Sequence, residues 1–342
     1  MLNLRVDAIE WDLSDVATFY LTPISGQKVA YKAGQFITLV FSHHNHEIRR
    51  SYSLSSSPDE DRLAITIKRV SNGEISRFML TKVQVGDIIQ STDPAGVFTV
   101  TYPDQEKDIV FFAAGSGITP VYALIKYILN RAGKSKVHLI YSNLKRSSII
   151  FNEQLTKLSN AHSDRFNLVH LISDEANRLN NLVIEKLVMQ QVVFDASVAE
   201  FYICGPFSYI RTITLTLQYM GIATGQIHKE NFVLETIPVK ANTANYPPRD
   251  VTINIDGTTH NITVAENQSI LQAALQNNIQ LPYSCRSGIC SACVARCKTG
   301  QVEMTQNEVL TPQDIQNGWI LTCTGHPISD DVVVGYVGRR EY

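Results

Sequence analysis

No apolar run in the chain approaches the roughly 18 residues needed to cross a bilayer. The opening stretch, MLNLRVDAIEWD, has no basic segment followed by an apolar core and a cleavage site. Neither membrane insertion nor secretion is expected, and a cytoplasmic location is. Charge is scarce as well. With 18% charged residues and a formal net charge of -2, nothing in the balance would attract nucleic acid or an anionic membrane. No internal repeat occurs, so three dissimilar segments follow one another. What is present is ample apolar material, 44% of 342 residues, enough for two or three cores. There are six cysteines, and those at 285, 290, 293 and 297 crowd into one short stretch. Without a secretion signal, such crowding favours metal ligation over disulfides.

The first hundred residues are strands separated by turns. ATFYLTP, GQFITLVF, RSYSLSSS, LAITIKRV and GDIIQSTDPAGVFTV carry β-branched and aromatic residues bounded by Gly, Pro or Asp, which suits an antiparallel β-barrel. One short helix is expected near Ile75–Lys82. From about Asp108 the pattern becomes alternating. Apolar strands at DIVFFAA, KVHLIYS, FNLVHLI, EFYICG and GQIHKENF are separated by helical stretches near 118–130, 149–159, 179–190 and 207–219. That predicts a five-stranded parallel α/β sheet, with ligands gathered at the carboxyl ends of its strands. Pro238, Pro247 and Pro248 then mark a linker. Beyond it lie a hairpin turning at Asp256-Gly257, a short helix near 269–277, the cysteine segment, and two late strands at WILTC and DVVVGYV. The expected division is 1–103, 104–233, a linker at 234–249, and 250–342.

Cys285, Cys290 and Cys293 are spaced C-x4-C-x2-C, and Cys323 follows far downstream. This is the plant-type arrangement for a [2Fe–2S] cluster. Two bridged irons need four terminal thiolates; a tight loop supplies three, and the fourth must come from another element packed over it. Gly288, Ser291 and Ala292 keep bulk away from that loop, so backbone N–H groups can approach the sulfurs. Structural zinc is the alternative, although zinc sites usually pair one C-x2-C with a second short pair. Cys297 is a fifth thiol without a place in this scheme.

A one-electron centre needs a donor. RRSYSLSSSP holds Arg50, Tyr52 and Ser53; on a strand, 50 and 52 share one side. An arginine fork for phosphate beside an aromatic ring for a flat ring system suits a flavin, whereas Tyr52 in a core and Arg50 in solvent is the plain alternative. Gly73 and Ser76 stand at the start of the barrel's helix, where free N–H groups and a hydroxyl can meet a pyrophosphate. FFAAGSGITPVYALIKYIL is strand, glycine turn and helix. Gly115 and Gly117 permit close backbone approach there, with Thr119 and Pro120 in the first helical turn. This is not the G-x-G-x-x-G fingerprint, and an ordinary tight turn would look the same. Cys204, Gly205 and Pro206 end the fourth strand of the sheet at the same edge, so a nicotinamide could lie between the two loops. At the end of the second strand, Lys145 and Arg146 offer positive charge where an NAD site would show a carboxylate. The expected donor is therefore NADPH, with NADH possible.

Together these motifs resemble the ferredoxin–NADP reductase superfamily, in the subgroup of oxygenase reductases with a C-terminal plant-type ferredoxin domain. The resemblance covers nearly the whole chain. It is closest to the reductases of phenylacetyl-CoA epoxidase complexes and of ketosteroid 9α-hydroxylases. It implies an FAD barrel, a nicotinamide domain and an α+β ferredoxin domain of β-grasp type. It also implies flavin roles for Arg50, Tyr52 and Ser53 and an FAD phosphate role for Gly73 and Ser76. Gly115, Gly117, Thr119 and Pro120 match the pyridine-nucleotide loop, and Cys204, Gly205 and Pro206 the nicotinamide side. IHKENF is similar to the segment closing this domain, which implies that Glu230 and Phe232 approach the flavin; a surface carboxylate is the alternative for Glu230. AAGSGITP departs from the family, where a third glycine and a threonine are usual.

The implied activity follows from electron counting. NAD(P)H gives up two electrons at once and the cluster accepts one, at roughly -400 mV for this class, so a flavin must stand between them. The expected acceptor is an oxygenase, the phenylacetyl-CoA epoxidase first, in phenylacetate catabolism. A Rieske oxygenase, a steroid hydroxylase, a desaturase or another redox protein are the alternatives. A non-catalytic iron–sulfur sensor or interaction module would need no hydride-donor site.

Overall fold

Period-two alternation turns the first part of the chain into six strands whose inward residues form one core. In the computed structural model, which describes residues 1–43, 46–71, 73–100, 106–232, 245–255 and 257–336, these are β1 (Leu2–Leu13), β2 (Val16–Pro23), β3 (Phe36–His43), β4 (His46–Ser53), β5 (Leu63–Lys68) and β6 (Ile88–Ser91). Their order is β4-β3-β6-β1-β2-β5. Leu54, just past β4, bridges Ile65 in β5, so the outer strands meet and the sheet closes into the expected barrel. Leu4, Val6, Phe19, Leu21, Ile37, Leu39, Ile65 and Ile67 fill it. Helix α1 (Glu74–Thr81) buries Ile75 and Met79, four residues apart on one face.

The α/β part runs β7 (Asp108–Ala114), α2 (Ile118–Leu129), β8 (Lys136–Asn143), α3 (Asn152–Ala161), β9 (Phe166–Ile172), α4 (Asn181–Gln191), β10 (Glu200–Gly205), α5 (Phe207–Tyr219) and β11 (Ile227–Asn231). The strands are parallel, in the order β11-β10-β7-β8-β9. Central β7 reads DIVFFAA because helices cover both of its faces. The chain moves from β7 outward to β8 and β9, then returns to β10 on the other side. The crevice between the carboxyl ends of β7 and β10 is therefore the topological switch point, where such sheets bind ligands. Barrel residues Val16, Ala33 and Phe98 join the core beneath α2, and residues 1–233 form one compact unit.

At the opposite, amino edge of the sheet, buried charges are paired. Lys107 bonds Glu200, and Tyr202 Oη donates to Glu200 Oε2 at 2.7 Å. Asp108 takes His138 Nε2 on one oxygen at 2.8 Å and the N–H groups of Val193 and Phe194 on the other. Burial pushes the Glu200 carboxyl up, but the His228 ring 3.5 Å away and hydrogen bonds from Lys107 and Tyr202 outweigh it and hold the group at about 2.

The second unit, 234–342, contains β12 (Arg249–Ile255), β13 (Thr258–Val264), α6 (Ile270–Gln276), β14 (Val294–Thr299), β15 (Val302–Met304), α7 (Pro312–Gln316), β16 (Trp319–Leu321), β17 (Gly325–Pro327) and β18 (Val332–Gly335). The main sheet is ordered β13-β12-β18-β14-β16, with β12 and β18 parallel. Ser269 and Gln272 form a capping box at the start of α6, which buries Ile270, Leu271, Ala273 and Ala274. This mixed sheet with a helix against it is the expected α+β ferredoxin fold. Asp256 of the expected turn, and 234–244 of the expected linker, lie outside the described residues.

Candidate functional site

The segment from Leu281 to Cys293 forms no helix or strand, and its course depends on left-handed backbone at Arg286, Gly288 and Ser291. At Gly288 a side chain is impossible: an added Cβ would lie 2.5 Å from the Gln306 carbonyl oxygen. Bent this way, the loop turns N–H groups toward sulfur. Cys285 N–H donates to Cys290 Sγ at 3.4 Å and Ser287 N–H to Cys285 Sγ at 3.3 Å. Cys323 arrives just past β16. Thr322 seats it by donating both its N–H and its Oγ1 to the Cys293 carbonyl, at 3.2 and 3.0 Å, while Tyr336 Oη bonds the same hydroxyl at 2.9 Å.

The four sulfurs reach one another in pairs: Cys285 with Cys290 and with Cys323, and Cys323 with Cys293. Hydrogen bonds from Cys290 and then Cys323 hold the Cys285 thiol far below its ordinary range, and the same contacts push Cys290 and Cys323 up. Four thiols ready to exchange protons for iron, with backbone donors aimed at sulfur, fit a [2Fe–2S] cluster. No three His, Cys, Asp or Glu side chains among the described residues are grouped around a single ion position. The fifth thiol, Cys297, sits on β14 and donates to the Thr299 carbonyl at 3.1 Å.

In the barrel, β4 carries Arg50, Tyr52 and Ser53. Arg50 is exposed, and its guanidinium donates to the Arg49 carbonyl at 2.7 Å. Tyr52 is half-buried, and burial pushes its hydroxyl up to about 12. Ser53 is buried and its Oγ has no partner. An enclosed hydroxyl without a partner is costly unless a ligand answers it, and on the same strand the Tyr52 ring is only half covered, so the strand fits a flavin. Ser76 is less available than its position suggests. Its Oγ accepts from Val70 N–H and donates to the Gly73 carbonyl, both at 3.2 Å. It therefore shapes the turn before α1.

At the switch point the glycines divide their work. Gly115 is left-handed with open space beside it, whereas a Cβ on Gly117 would collide with the Cys204 carbonyl. Gly117 thus lets α2 close onto β10, and Gly115 leaves room on the ligand side. Thr119 Oγ1 donates to the Ser116 carbonyl at 3.0 Å, and Pro120 is buried in the first turn. Across the crevice, Gly205 lies close to Ala114 and Tyr209, and Pro206 caps α5. Cys204 is fully buried and pairs in register with Glu230 of β11. Although Glu230 keeps some exposed surface, its Oε2 is enclosed without a partner, and burial pushes the carboxyl up to about 8. Cys204 is pushed up by burial and by that neighbour. Phe232 is exposed beyond the end of β11. Among the buried polar atoms without a partner, Ser53 Oγ stands in the barrel and Glu230 Oε2 at the sheet's carboxyl edge, where a flavin and a nicotinamide would fit.

Lys145 and Arg146 follow β8 on an exposed turn. Arg146 is occupied: Nε and Nη2 bond the two oxygens of Glu175 at 2.6 and 2.8 Å. Sequence reading missed this partner because it comes from the turn after the neighbouring strand. It also missed Thr322, whose place directly before Cys323 was the available signal.

A barrel for flavin, a parallel sheet with a nicotinamide crevice and a four-cysteine loop define an NAD(P)H-dependent electron-transfer oxidoreductase using FAD and [2Fe–2S]. Comparison with known families agrees. Residues 4–100 match the oxidoreductase FAD-binding domain, 111–214 the oxidoreductase NAD-binding domain and 253–327 the 2Fe-2S iron-sulfur cluster binding domain. The ferredoxin reductase component of 3-ketosteroid-9-alpha-monooxygenase from Mycolicibacterium smegmatis is 33% identical over 98% of this chain and 97% of its own length. One subunit of the 1,2-phenylacetyl-CoA epoxidase from Escherichia coli is 29% identical, over 98% and 97%. Among solved structures, phthalate dioxygenase reductase aligns with a TM-score of 0.62 at 24% identity, covering 98% of each chain, and so bears on the fold. An intact type IV self-sufficient cytochrome P450 monooxygenase aligns at 0.73 and 25% identity, over 97% of this chain and 40% of that one. The chain belongs to the family of ferredoxin reductase components of oxygenases. Among the described residues, no helix is long and apolar enough to cross a membrane.

Proposed function

We propose that this chain takes electron pairs from a nicotinamide nucleotide and delivers them singly, through its four-cysteine loop, to an oxygenase. The observation that carries this is the approach of four sulfurs in a row, Cys290 to Cys285, Cys285 to Cys323 and Cys323 to Cys293. When bound, FAD accepts a hydride and [2Fe–2S] carries one electron, and the side chains organise that chemistry.

In this reading the Tyr52 ring covers one face of the flavin and the Ser53 hydroxyl bonds its edge, while Arg50 pairs with phosphate. Gly73 and the first turn of α1 take the remaining phosphate, on a turn that Ser76 holds in shape. Gly115, Gly117, Thr119 and Pro120 form one wall of the nicotinamide crevice. Cys204, Gly205 and Pro206 form the other, with Phe232 near its mouth. Glu230, held near 8, keeps its proton at neutral pH, and so does the buried Cys204 thiol. The crevice thus presents no fixed charge where the hydride arrives and can hold a proton at the Glu230 carboxyl. The division 1–103, 104–233, 234–249 and 250–342 follows these roles.

Likeness to the E. coli epoxidase component supports a phenylacetyl-CoA epoxidase as acceptor. The higher identity to the ketosteroid component favours a second reading, a steroid monooxygenase. Anaerobic mixing with NAD(P)H should bleach the flavin of both wild type and Cys290→Ala, whereas cytochrome c reduction should fall at least about tenfold in the variant. Undiminished cytochrome reduction by that variant would sink exit through the cysteine loop. Coupled turnover with purified epoxidase and steroid oxygenase separates the two acceptors.

A further inference from the structure

The turns after β8 and β9 face each other at the carboxyl edge of the sheet, on the side away from β10. They are joined twice. Asp174 N–H donates to the Leu144 carbonyl at 3.1 Å, and the Arg146 guanidinium grips the Glu175 carboxylate through two parallel bonds. Arg146 and Glu175 each stand a few residues beyond their strand's end, so the pair closes a clasp over adjacent strands.

A clasp of this kind can meet an adenosine ribose in two ways. A 2′-hydroxyl can donate to a Glu175 oxygen, whose second lone pair remains available while the guanidinium stays bonded. A 2′-phosphate needs the guanidinium for itself and must sit beside a carboxylate of like charge. Nearby groups offset that only in part. Lys145 carries one exposed positive charge, but Asp174 on the facing turn carries a negative one. His170, on β9 near Arg146, is shifted toward its neutral form by burial and by the Arg146 charge. Arg178, two residues beyond the left-handed Ala176, is a second exposed cation on the facing turn, but among the described residues no carboxylate fixes its fork at the clasp. Opening an exposed ion pair costs at most about fivefold in an equilibrium constant. Phosphate repulsion by the freed Glu175 adds to it.

We propose that Glu175, by clasping Arg146, selects NADH over NADPH, reversing what Lys145 and Arg146 suggest in isolation. The proposal rests on the reductase reading above. Its test is the rate of flavin reduction by each coenzyme in the FAD-loaded full chain, read as kcat/KM. Wild type should favour NADH by about tenfold or more. Glu175→Gln should raise the NADPH value by about tenfold and lower the NADH value a few-fold. Arg146→Gln should weaken NADPH further, because Glu175 then stands unpaired, and the double variant should abolish discrimination. A wild type that prefers NADPH overturns the proposal, and so does a Glu175→Gln protein whose coenzyme ratio is unchanged. If neither coenzyme reduces the bound flavin at all, the reductase reading itself fails, and the two failures are thereby told apart.

Discussion

Gly288 is the residue on which the cysteine loop turns. It is left-handed, and its α-carbon stands against the Gln306 carbonyl, while its own carbonyl accepts Glu308 N–H at 3.0 Å. Gly288→Ala therefore meets both a backbone penalty of about 1–2 kcal/mol and a collision with main chain that cannot yield. The expected outcome is iron content below half of wild type, with flavin content unchanged, measured by metal analysis and absorption. Retention of full iron would mean that the loop has a second workable path. The loop was readable in advance because its pattern is local: C-x4-C-x2-C marks three candidate ligands by spacing alone. Arg146 and Ser76 were not. Their guanidinium and hydroxyl are committed to partners that only folding supplies, Glu175 for one and Val70 and Gly73 for the other.

Elements were legible wherever periodicity ran uninterrupted, as in the alternating barrel strands and the apolar run of β7. The start of α3 was not. A helix was expected from 149, yet it begins at Asn152, because Ile149, Ile150 and Phe151 are buried in the core shared with the barrel. Phe151 is left-handed, an uncommon state for a bulky residue, and is held there from outside its own element. Its N–H donates to Asp12 Oδ2 at 2.9 Å, at the far end of β1, and its ring stacks on Tyr122 of α2 at 4.4 Å. No sequence window contains that interaction, since its partners are 139 positions apart. Asp12→Ala strands this N–H and should lower stability by about 1–3 kcal/mol, read as a lower denaturant midpoint. If the midpoint does not move, the barrel and sheet are held together without this contact.

For the whole molecule, pH acts through carboxyls displaced in opposite directions. Glu230 is raised from 4.5 to about 8, so the folded chain binds a proton that the unfolded chain has released. Its contribution to stability is full below about 4.5, declines as pH rises toward about 8 and is gone above that, with a slope of up to about 1.4 kcal/mol per unit. Glu230→Gln, neutral at every pH, should flatten that decline and leave the protein more stable than wild type at pH 8. Urea titrations between pH 5 and 9 would check it, and identical pH profiles would count against a protonated Glu230. Glu200 behaves oppositely: lowered to about 2, it supports the fold above 4.5 and ceases to do so as acid approaches 2.

The amino rim of the parallel sheet thus keeps its buried carboxylates paired. Lys107 and Tyr202 answer Glu200 there, and His138 answers Asp108. The carboxyl rim keeps Glu230 waiting. One border anchors the scaffold while the other stays open to chemistry, so substitutions that retune donor or acceptor preference can accumulate at the open border without loosening the anchored one.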